Sequence, residues 1–154
     1  MLLISHRGNL NGPDKSIENN PEHLEYVMKN YSVEVDLRVH KDELYLGHDE
    51  CQYPIDRKWL FEYSPLLWIH CKDHEALRFC STLTFYINYF WHDTDDYTMT
   101  NMRFIWAYPG KKKVNNLTIL VKPEDHWSQS EIIEMQPFGI CSDFVEQYKY
   151  INRI

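Results

Sequence analysis

Residues 32–39 read Ser-Val-Glu-Val-Asp-Leu-Arg-Val. Val33, Val35, Leu37 and Val39 recur at every second position, the period of a strand whose successive side chains point to opposite faces. Glu34 and Asp36 then project together from the other face. Two carboxylates held side by side repel, and one stays protonated unless a cation joins them. Downstream, Lys41-Asp42 marks a turn, and Glu43–Gly47 (ELYLG) reads as a strand folding back on the first as a hairpin.

The same punctuation extends in both directions. Leu2–Ser5 reads as an earlier strand. Leu66–Cys71 (LLWIHC), Thr84–Phe90 (TFYINYF), Arg103–Tyr108 (RFIWAY), Leu117–Lys122 (LTILVK) and Gly139–Ser142 (GICS) read as later ones. Helices are expected between them. Pro21–Lys29 opens on proline and acidic residues and sets Leu24, Val27 and Met28 on one face. His74–Ser81 follows Asp73 as its N-cap. Asp95–Asn101 reads as a helical turn, and Ser128–Gln136 carries Ser128 and Glu131 at capping-box spacing.

Strands alternating with helices predict a mainly parallel sheet. Tyr108–Asn116 (YPGKKKVNN) is too short and turn-rich for a crossover helix, and a full barrel typically takes about 200 residues or more. A single α/β domain over residues 1–154 is expected, a compact, trimmed or incomplete (β/α) TIM-type barrel with mainly parallel strands.

Composition narrows the partners. A net charge of −7 offers no electrostatic footprint for nucleic acid. A phosphate ligand would have to meet a metal ion or a few placed basic residues. The N-terminal apolar run is too short for a signal peptide or a membrane span. Cys51, Cys71, Cys80 and Cys141 lack CxxC spacing and read as buried, reduced thiols, so a cytoplasmic location is expected. The aromatic stripe Phe85, Tyr86, Tyr89, Phe90 and Trp91 reads as core. In so short a chain, part of it could cover an exposed barrel side in a homodimer.

Residues able to do chemistry gather at the C-terminal ends of the expected strands, where parallel α/β barrels build active sites. His6 and Arg7 end the first, Glu34 and Asp36 lie along the second, and His48-Asp49 ends the hairpin. His70 and Lys72, then His92, then Asp143 end later ones. Glu34 and Asp36 suit a hard divalent ion such as Mg²⁺ or Ca²⁺. Histidines at strand ends suit general acid/base work, and Arg7 and Lys72 offer charge to a phosphoryl group. His92 with Asp93, Asp95 and Asp96 reads either as a second oxygen-rich site or as a solvated loop or cap. Lys111–Lys113 reads as a solvated turn.

Ser5-His6-Arg7-Gly8, Glu18-Asn19, Glu34-x-Asp36 and His48-Asp49, in that order and spacing, resemble the glycerophosphodiester phosphodiesterases. These are a branch of the phosphatidylinositol-phospholipase-C-like barrels. The resemblance covers the first third of the chain and is thin beyond residue 75, where Gly139–Asp143 (GICSD) looks like the family's final strand motif. Sphingomyelinase D relatives share the His, Glu-x-Asp, His order with a shorter first gap.

The resemblance implies His6 and His48 as the acid/base pair, Arg7 on phosphate, and Glu34 and Asp36 on a divalent metal, Mg²⁺ first. Glu18 and Asn19 would support the site beside metal and substrate. A neighbouring substrate hydroxyl would attack phosphorus and expel the alcohol, leaving a cyclic phosphate for water to open. The family's third strand carries Glu-x-Lys, where this chain has His70-x-Lys72. The softer imidazole as a third ligand implies Mn²⁺ or a more weakly held Mg²⁺. The expected activity is metal-dependent hydrolysis of a glycerophosphodiester-like small molecule. Its alternatives are a related enzyme acting on a lipid head group or a phosphodiester-linked glycan, and a non-catalytic barrel binding a phosphorylated ligand or a partner.

Overall fold

In the computed structural model of the chain, residues 1–151 are described. Strand β1 (Leu2–His6) leads through helix α1 (Pro21–Val27) to the long strand β2 (Ser32–His40), then β3 (Glu43–Leu46) and β4 (Tyr53–Ile55). Helix α2 (Arg57–Tyr63), strand β5 (Leu67–Cys71), helix α3 (His74–Ser81) and strand β6 (Asn88–Phe90) follow. Strands β7 (Tyr97–Met99), β8 (Ile105–Ala107) and β9 (Thr118–Val121), helix α4 (Gln129–Met135) and strand β10 (Gly139–Ser142) complete the order.

All the strands belong to one curled sheet. Its parallel run is β6-β5-β2-β1-β10-β9-β8, and β7 lies antiparallel against β8. β2 is long enough to serve three neighbours. Residues 32–34 pair with β1, 33–37 with β5, and 37–40 with β3, which turns back as the expected antiparallel hairpin and carries β4. The two edges of the curl are drawn together without a strand ladder. Asn101 donates its backbone N–H to the Tyr89 carbonyl at 3.0 Å and accepts the Tyr89 N–H at 2.8 Å, while Thr98 Oγ1 donates to the Trp91 carbonyl at 2.9 Å. The architecture is a mixed α/β, mostly parallel half-barrel.

Two-residue alternation sorts the core. The odd-numbered positions of β2, Val33, Val35 and Leu37, pack outward with Leu24 and Val27 of α1, Ala76 and Cys80 of α3, and Ile69 and Cys71 of β5. Inside the curl, Ile4, Trp68, Phe90, Trp106, Ile119, Val121 and Cys141 form a second cluster. A third joins α4 through Ile132 to Leu120 and Ile140. Helix ends follow the sequence signals: the Asn20 side chain accepts from Glu22 and His23, Asp73 from Ala76, and Ser128 with Glu131 forms a reciprocal capping box.

Three expectations are corrected. Residues 97–99 are strand β7, not part of a helical turn, because Tyr97 and Thr98 favour extended backbone and find partners in Ala107 and Trp106. The strand expected from Thr84 begins only at Asn88, where pairing with Trp68 becomes available. Cys51 is exposed, since it sits in the turn after His48, while the other three thiols are buried. Strand β4 and helix α2 are additions, the latter capped by Asp56 and anchored by buried Leu60. No helix among the described residues is long and apolar enough to cross a membrane.

Candidate metal and catalytic site

The inward positions two residues beyond the apolar cluster are polar. Ile4 is followed by His6, Trp68 by His70, Phe90 by His92 and Cys141 by Asp143, so parallel register delivers these groups to one end of the curl. After His6 the chain must turn sharply. Arg7 donates its N–H to the Glu34 carbonyl at 3.0 Å, then adopts a left-handed backbone (φ 54°), followed by Gly8 (φ 92°). A side chain on Gly8 would meet Leu24 Cδ2 at 3.0 Å, so glycine suits both the angle and the space.

Glu34 and Asp36 point into this end and are almost fully buried, at 2% and 0% exposure. Asn19, itself left-handed at φ 60°, spends both ends of its amide on Asp36. Its Nδ2 donates to Oδ2 at 3.0 Å and its Oδ1 accepts the Asp36 N–H at 3.0 Å. Arg7 Nε lies 3.0 Å from the same Oδ2, with Nη1 3.4 Å from Glu18 Oε2. Lys72 Nζ is 3.9 Å from Asp36 Oδ1. Burial opposes the Asp36 charge, yet Arg7, His70 and Asn19 outweigh it and hold its pKa below the ordinary carboxylate value. Glu34 moves the other way, pushed up to about 7 by burial and then by the Asp36 charge. Glu34 Oε2 and Asp36 Oδ1 are buried without a hydrogen-bond donor.

His70 faces Asp36 Oδ1 and the other Glu34 oxygen, Oε1. Its Nε2 lies 2.8 Å from the His92 carbonyl. A carbonyl only accepts, so Nε2 carries the proton and Nδ1 presents a lone pair. That lone pair sits 3.7 Å from Glu34 Oε1 and 3.5 Å from Asp36 Oδ1. Burial drives the imidazole pKa down to about 4, against the pull of Asp36 and with help from Lys72, so the ring is neutral at pH 7. It stacks on Phe90 at 5.0 Å. Ligand atoms of Glu34, Asp36 and His70 thus converge within 4.8 Å of one another. Two carboxylate oxygens and one imidazole nitrogen fit a divalent cation. A histidine ligand ordinarily has its other nitrogen held by a carbonyl in this way.

Beside the trio stands His6. Its Nδ1 donates to Asp143 Oδ1 at 2.7 Å, leaving Nε2 free, 3.8 Å from Glu34 Oε2. Asp143 is fixed by Asn9 Nδ2 at 2.8 Å and by Lys122 Nζ 3.5 Å from its other oxygen. Burial disfavours the charged His6, but the Asp143 hydrogen bond and the Glu34 charge prevail and raise its pKa. Those contacts hold Asp143 down to about 2 despite its burial.

His48 is built alike but stands nearer solvent, its Nδ1 2.7 Å from Asp49 Oδ1. The turn before it requires glycine. At Gly47 (φ 155°) an added Cβ would lie 2.1 Å from the Glu50 carbonyl oxygen. Arg38 Nε braces that turn through the Gly47 carbonyl at 3.1 Å.

A cavity of about 570 Å³ opens over this end, lined among others by His6, Arg7, Glu34, His48, His70 and Lys72. A second, of about 360 Å³, shares Arg7, Lys15, Glu18 and His48 and runs between Asn19 and residues 48–52. Asn19 sits behind the trio, 1% exposed and committed to Asp36. Glu18 braces Arg7 and Asn9. Sequence reasoning missed Asn9, which bridges Glu18 and Asp143, and Arg38. The only signal for Asn9 is its place directly after the His-Arg-Gly turn. Asp93, Asp95 and Asp96 are exposed and join no metal cluster among the described residues, and Asp96 instead pairs with Lys111 at 2.6 Å. Compared with protein-family models, curated proteins and solved structures, the chain matches none.

Proposed function

We propose that this protein is a metal-dependent phosphoric diester hydrolase acting on a small diester, built on a trimmed (β/α) TIM-type barrel as a divergent relative of the glycerophosphodiester phosphodiesterases. One observation carries the reading. Two buried carboxylates, each with one orphaned oxygen, and an imidazole lone pair of fixed tautomer bring ligand atoms within 4.8 Å of one another beside the free Nε2 of an aspartate-held histidine.

Glu34, Asp36 and His70 would hold the ion, Mg²⁺ or, given the imidazole donor, Mn²⁺. Bound there, it would supply Lewis-acid stabilisation of the charge on the phosphoryl oxygens. Arg7 and Lys72 add positive charge at the same place, with Arg7 aligned by Asp36 and Glu18. His6, its pKa raised and its ring aimed by Asp143, suits proton donation to the leaving alcohol. His48, aimed by Asp49, stands at the mouth to take a proton from the attacking hydroxyl. Asn19 holds Asp36 in place, and Glu18 keeps Arg7 extended.

The test is hydrolysis of bis(p-nitrophenyl) phosphate and of glycerophosphodiesters with Mg²⁺, Mn²⁺, Ca²⁺ or EDTA. Turnover that needs metal and disappears in His6→Ala supports the reading. No diester turnover beyond the His6→Ala background under any metal would sink it. Turnover surviving replacement of both Glu34 and Asp36 by Ala would remove the metal from it.

A further inference from the structure

One wall of the cavity is unlike the rest. It is made by the ends of β6, β8 and β9: His92, Asp93, Trp106, Tyr108, Pro109 and Lys122. Trp106 is buried and packs on Phe90 at 4.4 Å, which makes a rigid floor. Tyr108, two residues on, is 47% exposed on the same inward face. The exposed part of this ring borders a polar cavity, and the residue is tied to its neighbours. Its backbone N–H donates to the Asp96 carbonyl at 2.9 Å, and its ring meets the edge of His92 at 5.6 Å and 75°. His92 is anchored in turn through Nε2 on the Asp95 carbonyl. Charge lines the same wall: Asp93 is exposed, and the Lys122 ammonium lies 3.5 Å from Asp143 Oδ2 and 3.6 Å from Asp125 Oδ2.

An aromatic ring in a cavity wall that also carries a carboxylate and an ammonium matches one ligand chemistry closely. A sugar ring offers C–H groups on one face and hydroxyls around its edge. A lipid tail would leave Asp93 and Lys122 facing hydrocarbon, at a desolvation cost. A glycerol arm has no face to lay on Tyr108. We infer that the His92–Tyr108–Lys122 wall is the subsite for a sugar ring, so that the diester is a glycosyl phosphodiester with its ring on Tyr108 and its phosphate at Arg7 and the Glu34–Asp36–His70 trio. The other arm then lies along the Lys15–Glu18–His48 groove. This assignment rests on the phosphodiesterase reading for its chemistry, although the ring subsite itself needs only binding.

The experiment therefore measures both. Calorimetry compares glucose 1-phosphate, glycerol 3-phosphate and phenyl phosphate, with and without Mn²⁺, on wild type, Tyr108→Ala, Tyr108→Phe and Asp93→Asn. Wild type should favour glucose 1-phosphate over glycerol 3-phosphate by about tenfold, the scale of one aromatic contact. Tyr108→Ala should erase that preference, Tyr108→Phe should keep it, and Asp93→Asn should lower it while leaving glycerol 3-phosphate unchanged.

Equal binding of the sugar and glycerol phosphates by wild type overturns the subsite. So does an equal loss for both in Tyr108→Ala. Phenyl phosphate bound as tightly as the sugar phosphate overturns the sugar assignment. In the turnover arm, kcat/KM for glucosyl-1-phosphoglycerol should fall in Tyr108→Ala while that for methyl phosphoglycerol holds. Tyr108-dependent sugar-phosphate binding without turnover of any diester leaves this inference standing and defeats the hydrolase. Turnover of diesters without discrimination at Tyr108 does the reverse.

Discussion

The two ends of the curl are built from the same strands and differ by one step of the alternation. At the inner layer, Ile4, Trp68, Phe90, Trp106, Ile119 and Cys141 pack against one another. Two residues further along, the same strands present His6, His70, His92, Tyr108, Val121 and Asp143 to the cavity. The inner layer stabilises by removing apolar surface from water, roughly 25 cal/mol per Å². The outer layer does the opposite, burying Glu34 and Asp36 side by side with oxygens that lack donors. A fold that tolerates such an arrangement at one end must be held from the other, so substitutions at the two ends should separate activity from stability.

The largest effect is expected at His6. His6→Ala should lower kcat for diester hydrolysis by about 10²- to 10⁴-fold, the range for loss of a positioned acid or base. Because His6 sits among charges instead of apolar neighbours, its thermal midpoint should stay close to that of the wild type. Asp143→Asn should lie between, its loss concentrated in the pH profile, because the free nitrogen of His6 would lose the charge that raises its pKa. A His6→Ala protein that unfolds as readily as a core mutant would erase the proposed division between the ends.

Trp68→Ala probes the other layer. Trp68 is 5% exposed and packs on Phe104 and Trp106 at 5.2 and 6.0 Å, so the cavity left should cost about 3–5 kcal/mol in a denaturant titration. At a temperature where the variant remains folded, its metal affinity should be near that of the wild type. A collapse of metal binding in folded Trp68→Ala would show that the layers are not separable. Gly47→Ala should fall below both. The added methyl meets the Glu50 carbonyl and shifts His48, which costs roughly 1–3 kcal/mol and lowers kcat while metal binding is kept.

The outward apolar face of β2 and half of the outer layer were legible from spacing alone. Val33, Val35 and Leu37 against Glu34 and Asp36 set both faces of β2, and His70-x-Lys72 repeats the step on β5. Asp73 and Ser128 announced their helices because a cap acts within three residues of itself. What stayed hidden lies far apart in sequence. The His6–Asp143 bond spans 137 residues, and the Asn9–Asp143 bond 134, so no local pattern could show them. The His92 carbonyl that fixes the His70 tautomer is backbone, and backbone leaves no trace in residue identity. Residues 95–101 misled because Asp95 imitates a cap, while the partner that makes Tyr97–Met99 a strand is β8, met only after the chain turns back.

The smallest effect is the most discriminating. Glu34 has a folded pKa raised to about 7 from 4.5. A raised carboxyl binds its proton more tightly in the folded state, so its ionisation opposes folding. The metal-free protein should lose this contribution as pH rises from 4.5 through 7, and the loss should then level off. Glu34→Gln cannot ionise. Relative to wild type it should be matched below pH 4.5 and increasingly more stable up to pH 7, by about 3 kcal/mol at most. His70 titrates across part of the same window, but it is present in both proteins and largely cancels in the difference. With Mn²⁺ at about 100 times its Kd, wild type should gain about 2.7 kcal/mol while Glu34→Gln gains much less, so the ranking should narrow or reverse. Parallel pH curves for the two metal-free proteins would mean that Glu34 is not strained by its burial. The outer end of the curl would then owe nothing to a cation, and its contrast with the Trp68 layer would reduce to a difference in side-chain polarity.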